Sequence, residues 1–238
     1  MTRRLLLLSS ARDGNGVFLL NASSAIRSLL GPSTRRVLLI PYAGVTITHD
    51  RYAERVSVPF AKLGYEVRSI SDAPDPAHAI NSAEAIVVGG GNTFQLLATL
   101  YEHNLIDVIR ARVHAGVPYI GWSAGAVITA PTMGTTNDMP IVEPKSLRAL
   151  NLIPFQINAH FTDFVQPNHQ GESRADRLEE YITVNRTTRV VGLREGCSLR
   201  ITDEQITLNG LGTAPVFSYG VPRTEYSAGD DISFLLRA

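Results

Sequence analysis

The chain of 238 residues has a single cysteine, Cys197. One thiol closes no internal disulfide and supplies no cysteine-rich zinc site, so a reducing compartment is the simplest expectation. An excess of one charge is also missing. Lys plus Arg total 22 and Asp plus Glu total 22, leaving a formal net charge of zero. That balance excludes the strongly basic footprint of a nucleic-acid binder and polybasic membrane targeting. Long apolar runs are lacking too: the leading one covers only residues 5–8, against the ~20 residues needed to span a bilayer. Arg3 and Arg4 before it mimic the start of a signal peptide, but Arg12 and Asp13 follow too soon for one. The expectation is a soluble, cytoplasmic protein with neither a membrane nor a nucleic-acid partner.

The composition that remains is ordinary for a globular protein, with 44% hydrophobic and 18% charged residues. Residues 5–8, 37–40, 85–88 and 117–120 are short, nearly continuous apolar stretches. Strands covered on both faces require such runs, whereas half-exposed strands alternate. Between them the spacing predicts helices over about 16–30, 50–63 and 93–115, the last broken near His103-Asn104. Gly64 is placed to cap the second, and Pro59 inside it predicts a kink or an early stop. Strand–helix repetition with short links implies parallel pairing. Residues 198–202, 205–208, 216–219 and 232–236 lie close together with turn residues between them, and predict antiparallel hairpins at the sheet edge. With no linker or repeat, one α/β domain over residues 1–238 is expected, its central sheet mostly parallel and flanked by helices.

Gly121-Trp122-Ser123-Ala124-Gly125 follows a predicted strand and precedes the apolar stretch 126–130. A serine between glycines at a strand-to-helix turn is the pattern of a nucleophile elbow, which exposes the hydroxyl at the strand's C-terminal end. A serine that merely caps the helix is the plainer alternative. Gly89-Gly90-Gly91-Asn92-Thr93 follows another strand. It fails as a dinucleotide loop because Phe94 stands where a third glycine is needed, and as a phosphate loop because no Gly-Lys-Ser/Thr follows. The remaining readings are a plain turn or an oxyanion loop, in which the Gly91 N–H joins that of Ala124.

A serine nucleophile needs a base. His160 ends the alternating stretch Gln156-Ile157-Asn158-Ala159-His160-Phe161 and would lie at the same sheet edge as Ser123, while His169 sits in a polar loop. A buried structural histidine is the competing reading for His160. An orienting acid is available twice, as Glu195 after the predicted strand 189–193 or as Asp138 after the elbow helix. Glu195, at a strand end, is the better fixed of the two. No clustered ligand set calls for a metal or cofactor.

Together these blocks resemble peptidase E, the cytosolic aspartyl dipeptidases. The resemblance is carried by Ile40-Pro41-Tyr42-Ala43-Gly44, Val88-Gly89-Gly90-Gly91-Asn92-Thr93-Phe94-Gln95-Leu96, the Ser123 elbow, Thr135-Thr136-Asn137-Asp138-Met139-Pro140, Asn158-Ala159-His160-Phe161, Gly171-Glu172-Ser173-Arg174 and Gly192-Leu193-Arg194-Glu195-Gly196. It implies a serine peptidase on a scaffold similar to class I glutamine amidotransferases, hydrolysing dipeptides with an unblocked N-terminal aspartate. It also implies Ser123 as nucleophile, His160 as base, and Glu195 or Asp138 as third member. The aspartyl substrate so implied needs a counter-charge, for which Arg174 with its planar guanidinium is the expected grip, with His169, Asn92 and Thr93 as further binding candidates; Arg174 as a solvated charge at the start of a helix over 173–184 is the alternative. Ala159, where a proline often precedes the histidine, and Cys197-Ser198 depart from the family pattern without removing a catalytic group. The partner expected is a small peptide. A cyanophycinase-like or iso-aspartyl hydrolase, a broad esterase and an inactive binding domain are the alternatives. The sequence does not set the oligomeric state. The polar segment 162–173 is long enough to be a lid.

Overall fold

The structure is a computed structural model describing residues 3–12, 16–168 and 170–237. Its principal sheet has seven strands, in the spatial order Glu66–Ser69, Arg36–Ile40, Ile86–Val88, Tyr119–Trp122, Arg4–Leu8, Ser198–Thr202 and Gln205–Asn209. The parallel part comprises β1 (Arg4–Leu8), β2 (Arg36–Ile40), β3 (Glu66–Ser69), β4 (Ile86–Val88) and β5 (Tyr119–Trp122). The apolar runs are continuous because both faces are covered. In β1, Leu5 and Leu7 pack into one core and Leu6 and Leu8 into the other; Leu38 and Ile40 of β2 are divided from Val37 and Leu39 in the same way. Helices α1 (Ser23–Leu30) and α2 (His49–Lys62) cover one face. The other face carries α3 (Pro76–Asn81), α4 (Thr93–Glu102), α5 (Ile106–His114) and the single turn α6 (Ala124–Val127). Asn104, at φ 54°, makes the expected break between α4 and α5.

The carboxy-terminal hairpins divide between two sheets. β8 (Ser198–Thr202) and β9 (Gln205–Asn209) extend the principal sheet antiparallel from β1. β10 (Thr213–Ser218) and β11 (Val221–Ser227) instead join β7 (Val190–Arg194) and β6 (Gln156–Phe161) in a second sheet, ordered β11-β10-β7-β6. Helix α7 (Arg174–Val184) packs Leu178 and Ile182 against this second sheet beside Phe161 and Phe217.

Three local expectations are corrected. The stretch 232–236 is a 3₁₀ turn (Ser233–Leu236) rather than a strand, because the Asp231 carboxylate takes the Ser233 N–H at 2.9 Å and its hydroxyl, curling the chain. Helix α1 begins at Ser23, well after residue 16. Pro59 does not stop α2, which continues to Lys62; the carbonyl it leaves without a donor belongs to Arg55, an exposed residue that water can serve. No helix among the described residues is long and apolar enough to cross a membrane.

Candidate active site

The site lies where the two sheets meet at the C-terminal ends of β1, β4, β5, β6 and β7. Ser123 joins β5 to α6 with φ 53° and ψ −118°, a conformation that non-glycine residues rarely adopt. The tight turn needs small neighbours: a Cβ on Gly125 would stand 2.2 Å from the Val88 carbonyl oxygen. The Ser123 N–H donates to the Leu8 carbonyl at 3.0 Å, tying the elbow to β1.

His160 is reached from the second sheet, and by a different device. The pairing of β6 with β7 slips between Ala159 and Phe161, so His160 stands in a bulge at φ 55°. Its backbone groups therefore find partners outside the ladder. The fully buried Ser9, just past β1, accepts the His160 N–H at 2.8 Å and donates its own hydroxyl to the Leu193 carbonyl at 2.7 Å. Arg174 Nη1 donates to the His160 carbonyl at 2.7 Å.

With the backbone so held, His160 Nε2 lies 2.9 Å from Ser123 Oγ and Nδ1 lies 2.8 Å from Glu195 Oε1. The Glu195 side chain is 68% exposed and that of His160 38%. Glu195 and Phe161 flank a lattice of four charges. Arg194 and Arg223 each bind both Asp163 and Glu225, and both guanidinium groups lie against the Phe161 ring. Hydrogen bonding from Arg194 holds the Glu225 carboxyl below its ordinary pKa. Burial pushes the Asp163 carboxyl up, but hydrogen bonds from Arg194 and Arg223 outweigh it and hold this group down as well.

Asp138 is placed elsewhere. Its Oδ2 accepts the Thr93 N–H at 2.7 Å, and the hydroxyls of Thr93 and Thr136. Asn92 caps α4 by accepting the Gln95 N–H, while its amide donates to the Met139 carbonyl at 2.9 Å. Two openings lie in this region, and His160 lines the first of them. One, of about 520 Å³, is lined by Ser123, His160, Glu195, Gly90 and Gly91. The other, of about 900 Å³, is lined by Asp138, Asn158 and Arg174. Burial, with Arg177 adding repulsion, pulls the Arg174 guanidinium below its ordinary pKa, and it has no ion-pair partner among the described residues.

The Ser123 cleft is shaped by glycine. A Cβ on Gly91, at φ 147°, would stand 2.1 Å from the Ala43 carbonyl oxygen. The profile of peptidase family S51 matches residues 5–209. The chain belongs to this family. Curated relatives point the same way. Peptidase E of a Nostoc species is 46% identical over 236 residues, covering 99% of this chain and 98% of its own. Peptidase E of Shewanella denitrificans is 44% identical, covering 99% and 100%. The S51 chain is therefore a serine peptidase of the peptidase E type.

Two crystal structures share its fold. A peptidase from an acI-B1 actinobacterium has a TM-score of 0.73 at 20% identity, covering 98% of each chain. A Listeria monocytogenes protein has a TM-score of 0.67 at 23% identity, covering 89% of this chain and all of the other.

Of the residues singled out from the sequence, Ser123, His160 and Glu195 meet in one relay, Gly91 borders the same cleft, and the buried Ala124 follows Ser123 as the first residue of α6. Thr93 and Asp138 form their own cluster. Arg174 touches the His160 backbone, and His169 lies outside the described residues. Sequence reasoning missed Ser9, Tyr52, and the exposed cations Arg12 and Arg55 on the rim of the Ser123 cleft. A serine directly after an apolar strand in Leu8-Ser9-Ser10 was the one visible signal, and it does not tell a bridging hydroxyl from a turn.

Proposed function

We propose that this S51 peptidase hydrolyses Asp-Xaa dipeptides through an acyl-enzyme. Ser123 Oγ attacks the carbonyl of the N-terminal aspartyl residue as its proton passes to His160 Nε2, which then protonates the leaving amine. Ionised Glu195 accepts the Nδ1–H, leaving Nε2 free to act as base. The Gly91 and Ala124 N–H groups receive the oxyanion, water attacks the acyl-enzyme, and aspartate is released. The relay from Glu195 through His160 to Ser123 is the observation that supports this chemistry.

Arg174 supports the specificity. A part-buried guanidinium lacking a carboxylate is poorly compensated, and an aspartyl side chain supplies the counter-charge in two-point geometry. Asp138, already holding Thr93 and Thr136 through one oxygen, serves the substrate's free ammonium group with the other. Thr93 acts by holding Asp138, and Asn92 and His169 remain further binding candidates. We extend the reading to a cytoplasmic enzyme acting on small peptides, from the likeness of its motifs to the cytosolic aspartyl dipeptidases.

The test compares Asp-Leu, Asn-Leu and iso-Asp-Leu on the wild type and on Arg174→Met. The wild type should prefer Asp-Leu. The variant should lose ~2–5 kcal/mol of transition-state binding for Asp-Leu, the cost of breaking a desolvated charge pair, and much less for Asn-Leu. Because Arg174 also holds the His160 carbonyl, both rates will fall and the ratio carries the answer. An unchanged Asp-to-Asn ratio removes Arg174 from recognition; faster cleavage of iso-Asp-Leu replaces the proposed substrate class.

A further inference from the structure

Behind the Ser123 cleft a buried tyrosine joins the two loops that build it. Tyr52, on α2, accepts the indole N–H of Trp122 at 3.0 Å and donates its hydroxyl to the Gly90 carbonyl at 2.9 Å. Trp122 immediately precedes the nucleophile, and Gly90 immediately precedes the candidate oxyanion donor. The contact is close along its length: a Cβ on Gly89 would stand 2.6 Å from the Tyr52 oxygen. Burial pushes the Tyr52 pKa up to about 12, against the opposing pull of the Trp122 N–H. The hydroxyl therefore stays a proton donor throughout the range in which an imidazole base works.

Peptide planarity gives this hydrogen bond a consequence. There is no cis bond among the described residues, so the Gly90 carbonyl and the Gly91 N–H point in opposite directions from one rigid plane. Anchoring the carbonyl on Tyr52 aims the N–H away from Tyr52. The next peptide is pinned separately, by the Asn92 N–H donating to the Ala43 carbonyl at 2.8 Å. The Gly91 N–H itself donates to no acceptor among the described residues. Glycine at both 90 and 91 leaves this peptide little intrinsic preference for one orientation, so something outside the loop must select it.

We propose that Tyr52 is a positioning residue of the S51 reaction: its hydroxyl, held between the Trp122 indole and the Gly90 carbonyl, fixes the Gly90–Gly91 peptide so that the Gly91 N–H faces the oxyanion formed at Ser123. This rests on the serine mechanism above and adds the element that orients its donor. The same hydroxyl ties the oxyanion loop to the strand carrying the nucleophile, so donor and attacking oxygen keep their spacing.

Tyr52→Phe keeps the ring and removes only the hydroxyl. Losing an oxyanion donor outright costs ~10²–10³ in kcat. Losing its orientation should cost roughly 10- to 100-fold in kcat, with the KM for Asp-Leu changed less than about twofold. Two ligands separate the transition state from the ground state. The boronic acid analogue of aspartate forms a tetrahedral adduct on Ser123 and should weaken in parallel with kcat/KM. Free aspartate, the product, should bind the variant as it binds the wild type. Tyr65→Phe removes another buried tyrosyl hydroxyl from the same core cluster, away from the loop, and should retain wild-type kcat.

Rates are expressed per folded molecule, from circular dichroism of each preparation. Wild-type kcat in Tyr52→Phe overturns the proposal. So does an equal loss of boronate and aspartate affinity, which marks a general distortion of the site. If Ser123→Ala cleaves normally, the serine mechanism fails and the role of Tyr52 falls with it; if the wild type leaves Asp-Leu intact, only the substrate class is replaced, and the Tyr52→Phe comparison is read on the peptide that is cleaved.

Discussion

The two sheets solve the problem of placing a catalytic side chain in different ways. The principal sheet presents Ser123 by steric confinement: a parallel strand buried on both faces ends in a turn so crowded that Gly125 has no room for a Cβ. The smaller sheet presents His160 by hydrogen bonding. A bulge lifts the residue out of the ladder, and Ser9 and Arg174 catch its two backbone groups. Close packing is stiff and local. A bulge held by two side-chain hydrogen bonds is adjustable, and depends on Ser9 and Arg174 keeping their places. The comparison teaches that nucleophile and base are vulnerable to different kinds of damage.

The most severe expected break is on the nucleophile's side. Ser123→Ala should lower kcat on the order of 10⁶-fold, as deletion of a triad serine does in a well-studied protease, with thermal stability no lower than wild type. A few per cent residual activity in a preparation shown free of contaminating peptidase would contradict the serine mechanism. On the other side, Glu195→Gln and Asp138→Asn, assayed together, separate the two acids. Loss of tautomer control costs about four decades in kcat in a related arrangement, and Glu195→Gln should approach that figure. Asp138→Asn should act chiefly on KM. The reverse pattern would make Asp138 the orienting acid, despite its bonds to Thr93 and Thr136.

A smaller effect sharpens the contrast itself. Ser9→Ala leaves the nucleophile turn intact but deprives both the His160 N–H and the Leu193 carbonyl of their partner. Stability should fall by ~1–3 kcal/mol for these buried groups. A displacement of His160 by even a fraction of an ångström should cost roughly 10- to 100-fold in kcat, with KM nearly constant. If kcat per folded molecule is unchanged, the bulge is held by packing alone and the two sheets are more alike than their hydrogen bonds suggest.

The sequence displayed the principal sheet far better than the second. Residues 5–8, 37–40 and 85–88 announce β1, β2 and β4 because burial on both faces leaves no polar position to interrupt the run. β3 gave no such signal: as an edge strand it buries only Ser69, and its charged residues resemble a loop. The β8–β9 hairpin was visible, but β11 was not, because its exposed residues form no apolar run; nor was the division between sheets, since local turn chemistry says nothing about the partner strand. Within the site, Gly121 to Gly125 marked Ser123 directly. Glu195 and Asp138 were equally eligible by chemistry, and only the fold brings one of them to His160. Ser9 and Tyr52 act through backbone atoms of distant residues, a role no local pattern records.

The backbone at Ser123 also bears on engineering for heat resistance. At φ 53° and ψ −118° the residue occupies a conformation whose strain, of order 1–3 kcal/mol, glycine would largely escape. A selection that scored only thermal survival would therefore favour replacing the nucleophile, and would return robust proteins with no peptidase activity. Thermostable variants of this enzyme are better sought on surfaces outside both openings, such as the exposed Val221 of β11. Any screen for them needs turnover as a second criterion, because in this turn durability and chemistry pull in opposite directions.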